Sequence, residues 1–118
     1  MGYYTRFKMK TNPPEAMVDV ESYLDELEES EKSWYLLSNF ARGNVDKDGW
    51  LHASNEMKWY KHHEDMLELS THFPNVVLVL QGVGEKAGDM WVAYYRNGQG
   101  YRAEAKITFD EFDPDKLQ

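Results

Sequence analysis

Tyr3, Thr5, Phe7 and Met9 alternate with Tyr4, Arg6, Lys8 and Lys10 at the start of the chain, the period of two expected of a half-exposed strand. Asn12-Pro13-Pro14-Glu15 follows: a cap residue, a proline suited to a first helical turn, and a glutamate three places after the cap. A helix is predicted from here. Met17, Val20, Leu24 and Leu27, with Tyr23 beside them, form its apolar stripe at spacings of three and four. Lys32 to Ala41 holds Trp34, Tyr35, Leu36, Leu37 and Phe40, a density that suits a helix extension or a short buried strand.

Asn44 to Gly49 is turn-forming, and Trp50 to Ala53 reads as the strand leaving that turn. A second helix is expected over about Tyr60 to His72, stopped by Pro74, with Trp59, His63, Met66, Leu69 and Phe73 near one face. Val76 to Leu80 is continuously apolar, as in a central strand covered on both faces. After Gly82, Gly84 and Gly88 a strand resumes over Met90 to Tyr95, and Arg96-Asn97-Gly98-Gln99 predicts a type I′ hairpin turn. That turn sets Tyr94 opposite Tyr101, Val92 opposite Ala103 and Met90 opposite Ala105. The order predicts one α+β domain over residues 1–118, a mainly antiparallel sheet with two helices on one face, with a ferredoxin-like variant as the leading topology. Residues 110–118 read as a loose acidic tail.

Charge changes this picture in one place. Of the 21 Asp and Glu, eight lie between Glu15 and Glu31, a stretch without Lys or Arg; the other 13 balance all 13 Lys and Arg. The net charge of -8 is therefore a property of the first helix. Asp19, Glu21, Asp25, Glu26, Glu28, Glu29 and Glu31 become a candidate docking surface for a basic protein, alongside the plainer reading of a solvated face. Direct nucleic-acid binding is disfavoured, because phosphates call for clustered cations. The chain has no cysteine, which removes disulfides, thiolate metal sites and a cysteine nucleophile. No apolar run approaches the ~18 residues of a membrane span, and a cytoplasmic location is expected.

Candidate chemistry is sparse. Asn44, Asp46, Asp48 and Gly49 resemble the first half of a calcium loop, but the twelfth position is Asn55, with Glu56 one residue late. His62-His63-Glu64-Asp65 carries groups able to bind a metal or move protons. Adjacent helical residues point about 100° apart, so the two histidines do not share a face. Asp46, Asp48, His62 and His63 are thus weak metal candidates, no cofactor is expected, and an enzyme is disfavoured. Trp91, Tyr95 and Arg102, with Glu104, share the hairpin face opposite Tyr94 and Tyr101; aromatics beside an arginine are typical binding anchors. The pattern leaves open which of the two faces the helices cover.

Lys58-Trp59-Tyr60, Asp65-Met66, Leu69-Ser70, Phe73-Pro74, Gly82-Val83-Gly84-Glu85, Gly88-Asp89-Met90-Trp91 and Tyr95-Arg96-Asn97-Gly98 together resemble small proteins of phages and other mobile elements with a ferredoxin-like domain. The resemblance covers roughly residues 50–100 and carries no catalytic residue. It implies a mobile-element source and, by analogy, an inhibitor of a nucleic-acid-binding host defence protein acting through the acidic helix. The reading that follows is a non-enzymatic protein-binding module. Two alternatives stand beside it: a peptide- or small-ligand-binding domain using Trp91, Tyr95 and Arg102, and a divalent-metal protein. The oligomeric state is not fixed by the sequence.

Overall fold

The computed structural model describes residues 3–29 and 40–118. The predicted alternation at the start forms β1, Thr5–Asn12, in which Phe7 and Met9 are buried while Arg6 stays exposed. The chain then turns through a 3-10 segment, Pro14–Ala16, into α1, Met17–Glu29. The expected cap differs in detail. Asn12 remains in β1, Pro13 takes the cap position without a side-chain bond, and the Thr11 hydroxyl donates to the Pro13 carbonyl at 2.8 Å. Thr11 can do this because it is buried on the helix side of β1, directly under the turn.

Strand β2 spans Phe40–Val45 and β3 spans Leu51–Ala53; helix α2, His62–Thr71, leads to β4, Val77–Gly84, β5, Met90–Arg96, and β6, Gln99–Glu104. The expectation for Lys32 to Ala41 lies outside the described residues except at Phe40 and Ala41, which open β2. The strands form one sheet in the order β2-β3-β1-β4-β5-β6, and every neighbouring pair is antiparallel. The fold is α+β, with both helices on one face. Met17, Val20 and Leu24 of α1 and Met66 and Leu69 of α2 join a single core with Phe7, Met9, Leu51, Leu78 and Leu80.

The hairpin register is the predicted one, with Tyr94 opposite Tyr101 and Val92 opposite Ala103. Asn97 and Gly98 take φ values of 47° and 79°, the positive angles a type I′ turn requires. Helix α2 is pinned to this turn by Ser70, fully buried, whose hydroxyl donates to the Leu67 carbonyl at 2.6 Å and accepts from Gly98 N–H at 2.8 Å. Between the helices, the Tyr23 hydroxyl meets His72 Nε2 at 2.9 Å, and Tyr23 packs edge-on against Phe73. No helix among the described residues is long and apolar enough to cross a membrane.

Candidate functional site

Strand pleating sends alternate residues to opposite faces, so the register assigns every side chain of the sheet. Under the helices lie Phe7, Met9, Leu51, Leu78, Leu80, Trp91, Ala93 and Tyr95. This corrects the alternative binding face. Trp91 and Tyr95 are 4% and 1% exposed and belong to the core, not to a surface for ligands. Arg102 lies over the Trp91 ring, 4.7 Å from its centroid, and His62 stacks on the same ring at 4.7 Å. Arg102 is therefore a structural lid on the tryptophan, paired outward with Glu104 at 2.6 Å.

Two glycines show why the aromatics point inward. Gly82 faces Trp91 across the β4–β5 ladder and Gly100 faces Tyr95 across β5–β6. A Cβ on Gly82 would sit 2.3 Å from Trp91 Cζ2, and one on Gly100 would sit 2.5 Å from Tyr95 Cδ1. Each ring lies across the strand position its glycine leaves empty, which lets the bulky side chains lie flat beneath α2. The Gly100–Tyr95 pairing follows from the hairpin register, the Gly82–Trp91 pairing only from the β4–β5 ladder, and together they distinguish the covered face from the open one.

The open face is the candidate site. From β1 it presents Arg6, Lys8 and Lys10; from β4, Val79, Gln81 and Val83; from β5, Met90, Val92, Tyr94 and Arg96; from β6, Tyr101 and Ala103. Trp50 and His52 extend it beyond β1. Both Lys8 Nζ and Lys10 Nζ stand over the Trp50 ring, at 4.5 and 4.6 Å, and Tyr94 packs against Tyr101 at 5.3 Å. Across β1 and β3–β6 no Asp or Glu occupies a position on this face. It is cationic and aromatic in a chain whose net charge is -8.

Its surface is furrowed. A cavity of about 420 Å³ lies between Val77, Tyr94, Arg96 and Tyr101, and one of about 380 Å³ between Lys10, Asp48, Val79 and Tyr94. Smaller hollows of about 230 and 150 Å³ share Gln81. Tyr94 borders three of the four, so they form a connected run of depressions across the strands.

No protein-family model, curated protein or solved structure matches this chain.

The metal candidates fall to other duties. Asp46 Oδ1 accepts from the backbone N–H of Asp48 at 2.9 Å and of Trp50 at 3.0 Å, while Oδ2 meets His52 Nε2 at 2.7 Å. The carboxylate organises the β2–β3 turn, and these bonds, His52 first, pull it down to about 2. Glu56, the displaced calcium-loop acid, pairs with Arg6 at 3.0 Å. The histidines exchange the expected roles: His62 is the half-buried packing residue, and His63 is exposed, touching the Tyr95 hydroxyl at 3.3 Å. The reason is that α2 begins at His62, so Trp59 precedes the helix and does not set its stripe. Burial pushes His62 down to about 4, with Arg102 and His63 adding repulsion, and its Nδ1 is buried without a partner. Among the described residues no three acids or histidines converge to hold a metal ion.

On the acidic helix, Asp19 and Glu26 are exposed and Glu21 and Asp25 are half-buried. The side chains of Glu28 and Glu29, and all of Glu31, lie outside the described residues.

Proposed function

We propose that this protein is a non-catalytic binding module whose open sheet face takes an extended, acidic and aromatic peptide segment. The observation that carries the reading is the composition of that face: Arg6, Lys8, Lys10 and Arg96 set among Tyr94, Tyr101, Trp50 and Val92 without an acid at any strand position. Cations attract carboxylates, and the aromatic hollows between the strands suit flat or branched apolar side chains. The helix layer supports the reading from the other side. Its acids repel nucleic acid and leave the sheet as the surface complementary to an anionic peptide.

The topology belongs to the same proposal. Helix α1 joins β1 to β2, α2 joins β3 to β4, and the four strands stand in the order β2-β3-β1-β4, the split arrangement of a ferredoxin-like core. The β5–β6 hairpin then widens its face. The acidic helix as an inhibitor's docking surface for a basic partner, and with it a source in phages or mobile elements, is the second reading. It is supported by the eight acids between Glu15 and Glu31.

The test is fluorescence anisotropy with two probes, a labelled peptide of alternating Phe and Asp and a labelled oligo-dT strand. The proposal predicts saturable binding of the peptide that weakens at least tenfold in Lys8→Glu/Lys10→Glu, with the Asp19→Lys/Glu26→Lys variant unchanged. Binding of oligo-dT in preference to the peptide would overturn it, as would loss confined to the helix variant.

A further inference from the structure

Beyond Glu104 the backbone of β6 runs on without folding. Ala105 N–H still donates to the Met90 carbonyl at 2.9 Å, but Lys106 to Asp113 forms neither helix nor strand. Every residue from Arg96 to Gln118 is exposed. This C-terminal arm is not a polar tail. Ile107, Phe109, Phe112 and Leu117 stand 62%, 91%, 75% and 69% exposed, interleaved with Asp110, Glu111, Asp113 and Asp115. Four large apolar side chains thus stand in water within eleven residues, each available to a partner.

The arm cannot easily reach its own sheet face. At Ile107 it passes the turn between β4 and β5, where a Cβ on Gly88 would lie 3.1 Å from Ile107 Cδ1, so it is leaving the sheet at that end. To come back it would have to reverse direction. From Tyr101 to Asp113 there is no glycine, asparagine or proline to make a tight reversal, and the chain turns only at the 3-10 segment Pro114–Lys116, capped by Asp113.

We infer that the arm is the ligand of the open sheet face of a second copy of this chain, each copy giving its arm to the other. The inference rests on the binding reading above and names the occupant. Charge matches: Asp110, released from its 3.7 Å contact with Lys116, joins Glu111 and Asp113 in meeting Lys8 and Lys10, while Arg6 stays with Glu56. Apolar surface matches: Ile107, Phe109 and Phe112 supply the side chains for the hollows around Tyr94 and Tyr101. Length matches too. Eight extended residues, Lys106 to Asp113, span roughly 26 Å, enough to cross the roughly 19 Å of the five strands β3-β1-β4-β5-β6. Reciprocal exchange of identical segments closes a two-fold dimer without an unpaired end.

Sedimentation equilibrium of the full chain tests this, with folding of each variant checked by circular dichroism. The expected result is a concentration-dependent dimer. Lys8→Glu/Lys10→Glu and Phe109→Asp/Phe112→Asp should each weaken it at least tenfold. Adding Asp110→Lys/Glu111→Lys/Asp113→Lys to the Lys8→Glu/Lys10→Glu chain should restore it, which loss of folding would not allow. A chain that stays monomeric, or a dimer indifferent to these changes, overturns the inference. If the Phe-Asp probe still binds such a monomer, the binding reading survives alone; if the probe fails as well, both fall.

Discussion

The face of the sheet under the helices and the face turned away from them are made by the same strands, residue by alternate residue, yet they are built on different terms. Under the helices Phe7, Met9, Leu51, Leu80 and Tyr95 are almost fully removed from water. On the other side Lys8, Gln81, Val92 and Tyr94 are only partly covered. The first arrangement is what stability needs: dense contact and few charges. The second sacrifices burial to keep cations and rings accessible. Neighbours along β1 should therefore fail in different ways when altered.

The largest contrast lies between Phe7 and Lys8. Phe7→Ala removes a ring that meets Trp59 at 5.1 Å and Trp91 at 6.0 Å and should cost about 3–5 kcal/mol in urea unfolding. Lys8→Glu should change stability by less than about 0.5 kcal/mol while weakening peptide binding severalfold. Gly82→Ala comes next. The added methyl meets the indole of Trp91 rather than a flexible chain end, so about 1–3 kcal/mol should be lost, whereas Val83→Ala, on the open face, should be nearly neutral. Ser70→Ala strips the bond that Gly98 N–H makes to the helix and should cost about 1–2 kcal/mol, visible as faster hydrogen exchange at the β5–β6 turn.

The smallest effect separates the faces by pH. An unfolded His62 takes up a proton near 6.5, whereas the folded one resists until about 4. Its contribution is therefore complete above pH 6.5 and is lost as the pH falls toward 4. Because the side chain is still partly exposed, the loss should be on the order of 1 kcal/mol. His62→Leu should flatten that slope in unfolding measured from pH 7 to 4, and binding at the open face should not follow it.

Much of this was legible in the residues. The alternation of Tyr3 to Lys10, the stripe Met17-Val20-Leu24 and the Asn97-Gly98 turn each write their element directly, because period and turn chemistry are local properties. The side of the hairpin that faces the core was not. Tyr94 and Tyr101 look as apolar as Trp91 and Tyr95, and only the cross-strand partners, Gly82 and Gly100, tell them apart. The open face was hidden for a related reason. Its cations come from β1 and β5 and its rings from β5, β6 and the turn before β3, distant in sequence and joined only by strand order. Total charge misled as well: a net -8 that comes from the stretch Glu15 to Glu31 conceals a sheet face whose strand positions hold cations and no acid.

The most direct measurement is the amide spectrum of the isotope-labelled chain, recorded while the Phe-Asp peptide is added. The account predicts shifts at Lys8, Lys10, Gln81, Val92, Tyr94 and Tyr101, with α1 unmoved. Shifts gathered on Asp19, Glu26 and their neighbours in α1, with the sheet silent, would contradict it.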